Sequence, residues 1–376
     1  MTKVFGGEFF VEQDEMVNEP NFLVKVTCMT YNHANYITDA MDGFVMQQTS
    51  FPFVCIICDD ASTDGEAEVI KKYLDDNFDR RDIGLSTPEE TDEYLRIYAQ
   101  HKENKNCYFC VLFLKYNHYS IGKAKTKNLV GFTTNVKYIA LCEGDDYWTD
   151  PLKLQKQVDY LEEHEEVGVC YTDYSRFDEA TKVLTQSLYE EQGQFRPTSY
   201  EQHLIKPGYL APMTWVYKKE LLDLIEKQKS FVDGTYMYML EWLYHSKVGY
   251  LPVDTAVYRS HEGSASSPID ANGRFRYYKG VFDTQLYYAN KYPCPEVLLE
   301  KIKVRGYLDV LPVAIMAEKE DFIKESKSYL ESKGYSVEAI IRDLKEGQSV
   351  RKSYAYRLGK AIVSPLSWLK KKCKSF

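Results

Sequence analysis

Apolar positions follow two rhythms along this chain. Continuous runs in "FLVKVTCMTYN", "FPFVCIICDD", "CYFCVLFLKYN" and "KYIALCEGDD" each break into polar or acidic residues, which predicts strands buried on both faces. Between them, "NYITDAMDGFVMQQ", "EAEVIKKYLDD" and "GKAKTKNLVGFTT" carry apolar residues three and four apart, the spacing of amphipathic helices. Strand and helix in alternation predict an α/β fold, a mostly parallel sheet flanked by helices. Residues 1–20 read as an N-terminal arm. Residues 77–106 are charged and irregular, predicting a surface insertion with a short helix in "TPEETDEYLRIYAQ".

Further along, "PLKLQKQVDYLEEH" and "DGTYMYMLEWLYHSK" predict helices, "VGVCYTDYSRF" and "VGYLPVDTAVYRSH" predict strands, and "APMTWVYKKELLDLI" begins a strand-helix passage. From about residue 269 to 348 the pattern is helical. The expected organisation is an α/β domain over 21–268, a helical region over 269–348 and a basic tail over 349–376.

Ligands of such sheets bind beyond the carboxyl ends of the strands. Three of those ends carry "TYNH", "DDASTDG" and "EGDD", so Thr30, Tyr31, Asn32 and His33, Asp59 to Asp64, and Glu143 to Asp146 are expected on one rim. Carboxylates at such a rim suit Mn2+ or Mg2+, which take hard oxygen ligands and leave room for substrate phosphates. Gly144 leaves space for a diphosphate. Alternatively these acids form a solvated loop, with Asp150 and Pro151 starting the next helix. Neither GxGxxG nor GxxxxGK[ST] occurs, so no dinucleotide fingerprint or P-loop is expected.

Composition narrows the choice. At 376 residues with 44% hydrophobic and 14% aromatic content, the chain can bury a sizeable core. A net charge of −9 speaks against general nucleic-acid binding. No apolar run is long enough to span a bilayer, and the first residues lack the layout of a signal peptide, so a cytoplasmic protein is expected. The pairs Cys55/Cys58 and Cys107/Cys110 invite a zinc reading. Within strands, however, residues i and i+3 point to opposite faces, which favours buried thiols.

The ordered blocks "VTCMTYNHANYI", "ICDDASTDG", "NHYSIGKAKTKN", "YIALCEGDDYW" and "VYRSHEGSAS" resemble the inverting family 2 glycosyltransferases of bacterial surface-polysaccharide type. The resemblance covers about residues 22–265. It implies the GT-A fold and a metal-dependent transfer of a sugar from a nucleoside diphosphate sugar, expected to be a UDP-sugar, to an acceptor hydroxyl on a glycan or lipid-linked glycan. It places the nucleotide against the first loop, Thr30 to Asn32, and against Asp59 and Asp60, with Asp60 at the base. The family's DXD motif falls on Glu143-Gly144-Asp145, with Glu where Asp is usual. Asp145 is then the metal ligand, with Asp146 beside it. His261 matches a position near the donor phosphates and is read as a phosphate or metal ligand, or as a structural histidine. Lys127 stands where the family often has Arg and is a donor contact or a solvated lysine. Trp148 is the aromatic expected to stack on sugar.

The family's usual base is an Asp in a Gly-Asp pair, and here the pair reads Gly234-Thr235. Asp233 is the first candidate for the base and Glu241 the second, the alternative for Asp233 being a helix cap. Because the base is displaced, a catalytically inactive GT-A domain that binds a sugar or a partner is the rival reading. A sugar nucleotidyltransferase is a further rival, but "TYNHANYI" lacks its glycine-rich basic loop.

The tail alters the charge picture. "RKSYAYRLGKAIVSPLSWLKKKCKSF" holds eight basic residues and no acid, with Leu358, Ile362, Leu366 and Leu369 at helical spacing and Pro365 interrupting it. Such a segment suits an anionic membrane surface, placing the protein peripherally on the inner face of the plasma membrane. Docking of the tail on the acidic body of the protein is the alternative.

Overall fold

The computed structural model describes residues 21–79, 88–122, 135–225, 231–261, 270–338 and 342. Lys127, the N-terminal arm and the basic tail lie outside them. The chain packs as two units: Met1–Gln194 with Ala211–Leu224 and Ser246–His261, and Phe195–Leu210 with Ile225–His245 and Glu262–Phe376.

The continuous apolar runs form the heart of the first unit. β1 (Val24–Thr30), β2 (Phe53–Asp59), β6 (Cys107–Leu114) and β7 (Tyr138–Leu141) lie side by side in the order β6-β2-β1-β7, all parallel. Every residue of β2 is buried, as a strand covered on both faces requires. Thr30 pairs with Asp59, and Asp59 with Phe113, so these strand ends finish level. Beyond β7 the sheet continues through β11 (Val216–Lys218), β9 (Val167–Asp178), β12 (Lys247–Ser260) and β8 (Tyr147–Trp148), with β9 and β12 parallel and the other pairings antiparallel. β10 (Val183–Thr185) adds to β9. Helices α1 (Ile37–Val45), α2 (Glu66–Asn77) and α3 (Lys153–Glu163) follow β1, β2 and β8.

The expected insertion is part of the sheet. β5 (Tyr94–His101) pairs antiparallel with β6, and the short β3 (Phe78–Asp79) and β4 (Glu89–Glu90) pair with β5. "YLRIYAQH" is thus a strand where a short helix was expected. The open hydrogen-bonding edge of β6 and the strand preference of Tyr and Ile outweigh a helical spacing that spans few turns. The cysteines of both CxxC pairs are buried.

The second unit is helical among its described residues: α4 (Tyr200–Ile205), α5 (Gly234–His245), α6 (Ala271–Lys291), α7 (Glu296–Met316) and α8 (Glu320–Ser332). Leu204, Leu240, Phe282, Ile302, Val310 and Ala314 share its core. Gly306 is needed for α7 to approach α6, since a Cβ there would lie 2.1 Å from the Phe282 ring.

Candidate active site

The rim of the first unit is built on a carboxylate that the sequence does not single out. Glu66, the first residue of α2, is fully buried. It accepts hydrogen bonds from the Thr30 hydroxyl, the His33 backbone N–H (2.9 Å) and the Ser62 hydroxyl (2.8 Å). Burial raises its pKa, and these bonds partly offset that. Asn32, at φ 57, donates its N–H to Ser62 Oγ (2.9 Å) and accepts from Thr63 N–H (2.8 Å). The left-handed conformation is one that Asn tolerates, and it joins the loops after β1 and β2.

The "EGDD" segment is a turn, closed by the Asp146 N–H on the Glu143 carbonyl at 3.1 Å. Its acids have different fates. Glu143 is exposed. Asp146 is 5% exposed and accepts the Arg259 backbone N–H at 2.8 Å; burial and the neighbouring Asp145 charge push its pKa well above the usual range. Asp145 faces two imidazoles, with Oδ2 3.1 Å from His261 Nε2 and 3.9 Å from His33 Nε2. Burial opposes its ionisation, but the His261 hydrogen bond, with His33 beside it, prevails and lowers its pKa. Gly144 serves this packing rather than a ligand, because a Cβ there would meet Thr30 Oγ1 at 2.2 Å.

His33, Asp145 and His261 each offer one ligand atom, all within 4.8 Å of one another. Two further features fit this trio to a cation. Asp145 Oδ1 is buried with no hydrogen-bond partner, which is rare and costly for a carboxylate oxygen unless something positive meets it. The Thr30 hydroxyl proton goes to Glu66, so Thr30 Oγ1, 3.2 Å from His33 Nδ1, accepts there. The His33 Nδ1 then carries the ring proton and Nε2 keeps its lone pair, as a metal-ligating histidine requires.

Arg259, unmarked in the sequence, holds the turn in place. It is 6% exposed. Besides the bond to Asp146, its Nε donates to the Asp145 carbonyl (2.8 Å), and its guanidinium reaches Asp39 (2.5 Å) and Glu179 between the rings of Tyr36 and Tyr147, each 4.9 Å away. A cation so surrounded orients the acidic turn without facing a substrate.

Other expected residues take other places. Asp59 is buried and accepts Ser62 N–H at 2.9 Å; burial raises its pKa against the Ser62 hydrogen bonds. Asp60 is fully buried and accepts the backbone N–H groups of His118 (2.8 Å) and Tyr119 (3.2 Å), so it pins the loop after β6. Tyr31 is 41% and Tyr119 79% exposed. Trp148 is not an open stacking platform: it is 2% exposed, 4.9 Å from the Phe44 ring, and donates its indole N–H to the Met213 carbonyl. Pairing of β8 with β12 makes it a core residue.

Asp233 and Glu241 belong to the second unit. Asp233 caps α5: Oδ1 accepts from Tyr236 N–H (3.0 Å) and the Thr235 hydroxyl (2.7 Å), and Oδ2 accepts from Tyr277 (2.8 Å). Glu241 is 1% exposed, with its oxygens taken by Tyr288 (2.7 Å), Lys291 (2.7 Å) and Tyr292 (2.5 Å). That is a buried ion-pair hub, unsuited to receive a proton from an acceptor.

Residues 85–225 match the family model described as "Glycosyl transferase family 2". An uncharacterized protein of Mycobacterium tuberculosis (strain ATCC 25618 / H37Rv) is 30% identical over 245 residues, which span 63% of this chain and 59% of that protein. The chain thus spans less than two thirds of that relative's length. A putative teichuronic acid biosynthesis glycosyltransferase, TuaG, of Bacillus subtilis (strain 168) is 28% identical over 153 residues, 41% of this chain and 47% of TuaG. Among solved structures, the mannosyltransferase PcManGT from Pyrobaculum calidifontis in complex with GDP-Man and Mn2+ superposes with a TM-score of 0.50 at 14% identity, covering 89% of this chain and 82% of that one. The fold is GT-A-like, with helices appended at the C-terminal side.

Proposed function

From the match of residues 85–225 to the family 2 glycosyltransferases we propose that this chain moves a sugar from a nucleoside diphosphate sugar to an acceptor hydroxyl with inversion. The observation that carries the reading is the buried, unpartnered Asp145 Oδ1 beside the imidazoles of His33 and His261. His33, Asp145 and His261 would hold a divalent cation, and their two nitrogen donors favour Mn2+ over Mg2+, which keeps to oxygen. When bound, the cation offsets the charge gathering on the departing diphosphate. Thr30 and Glu66 keep His33 in the ligating tautomer, and Arg259 fixes the turn. Exposed Tyr31 and Glu143 offer the donor a stacking surface and a ribose contact. The acceptor oxygen attacks the anomeric carbon as the bond from that carbon to the diphosphate breaks, its electron pair leaving with the phosphate. The hydroxyl proton passes to a general base as the new bond forms.

A thermal-shift screen of nucleoside diphosphates with and without Mn2+ tests this, since ligand bound to the native state raises its stability. Uridine diphosphate with Mn2+ is expected to give the largest shift. A preference for guanosine or thymidine ligands overturns the donor assignment, and shifts indifferent to Mn2+ overturn the metal assignment.

The acceptor proposed is a lipid-linked glycan of surface polysaccharide synthesis, with the basic tail binding an anionic membrane. No helix among the described residues is long and apolar enough to cross a membrane. The chain should float with anionic liposomes, less so at high salt. Equal flotation of a chain ending at Gln348 would remove the tail from this role.

A further inference from the structure

The helices of the second unit surround a cavity of about 420 Å³, within the roughly 300–1,000 Å³ of small-molecule sites. Tyr209, Tyr277 and Tyr278 line it, each more than a third exposed. Two other lining residues have buried polar atoms without a hydrogen-bond partner, His203 Nε2 and Asp309 Oδ1. Each such atom costs on the order of 1–3 kcal/mol, so two in one cavity call for a ligand.

Their chemistry is complementary. His203 is fully buried, and burial pulls its pKa down to about 3, so the ring is neutral. Its Nδ1 accepts the Gly208 N–H at 3.4 Å, which leaves the ring proton on Nε2 as a donor. Asp309 Oδ2 is held by Arg305 Nε at 2.7 Å, leaving Oδ1 as an acceptor. Asp233, Lys206 and Arg305 also line the space, so two carboxylates face two cations and the lining has no net charge to attract a charged ligand. What suits a lone donor, a lone acceptor and tyrosine rings is an uncharged ring whose hydroxyls both donate and accept and whose C–H face packs on aromatics.

We propose that this cavity binds a neutral sugar ring of the acceptor, with His203 and Asp309 reading its hydroxyls and Tyr278 packing on its face. The identification of that sugar as the acceptor rests on the glycosyltransferase reading; the binding does not. Tyr278 and Asp309 come from α6 and α7, outside the residues that match the family model, while His203 comes from α4, inside them.

Saturation-transfer NMR on the full chain tests it, with the methyl glycosides of glucose, galactose, mannose and N-acetylglucosamine as probes and cyclohexanol as a ring control. At least one glycoside should bind and cyclohexanol should not. Tyr278→Ala and Asp309→Asn should each weaken that binding at least about tenfold, with melting temperature and Mn2+-dependent uridine diphosphate binding unchanged. No binding by any glycoside, cyclohexanol binding as well as the sugars, or undiminished binding by both variants overturns the proposal. Glycoside binding in a chain that ignores nucleoside diphosphates would sink the donor assignment and leave this cavity standing. Nucleotide binding without glycoside binding would do the reverse.

Discussion

The acidic turn of the first unit and the Glu241 cluster of the second both bury carboxylates, yet they do opposite things with them. Around Glu241 each oxygen has a donor, from Tyr288, Lys291 or Tyr292, and nothing remains to bind or react. At the turn, Asp146 is satisfied by Arg259, while Asp145 keeps one buried oxygen without a partner next to two imidazoles. Burial alone therefore does not mark a functional acid. The unfilled valence does.

The comparison breaks most sharply under substitutions that remove a charge and keep the volume. Asp145→Asn should lower transfer by about 1,000-fold or more, because a hard anionic ligand is gone, while the melting temperature stays within a few degrees. Turnover with a UDP-sugar and Mn2+, set beside a thermal melt, reads both. Glu241→Gln should reverse the pattern. It leaves Lys291 without its carboxylate and should cost about 3 kcal/mol of stability, seen in a denaturant titration, with activity per folded molecule preserved. If Glu241→Gln spares stability and stops turnover, the hub is a catalytic group after all. The smallest effect is expected from Thr30→Val, which frees His33 Nδ1 without touching the ligands. Mn2+ affinity should fall about tenfold, and a Mn2+ titration showing no change would remove Thr30 from the site.

The parallel core was legible because double-sided burial leaves continuous apolar runs, and each run ended where a strand ends. The rim was legible for the same reason: "TYNH", "DDASTDG" and "EGDD" each follow such a run. Arg259 was not, since its partner Asp146 lies 113 positions away and no local spacing announces the pair. His33 was placed on the rim without a role, because its ligating geometry depends on Glu66 across two loops. Trp148 misled because an aromatic next to an acidic motif looks the same in sequence whether it faces a sugar or Phe44. Tyr94–His101 misled because a strand broken by polar positions shares its spacing with a short helix.

We propose that the His33, Asp145 and His261 rim is a working, cation-dependent donor site. Its most direct test is nucleoside diphosphate release from a panel of nucleotide sugars, without any acceptor, with Mn2+ and with chelator. Slow release that needs Mn2+ and disappears in Asp145→Asn is expected. Release from no donor would favour a binding module, and equal release by Asp145→Asn or in chelator would contradict the site itself.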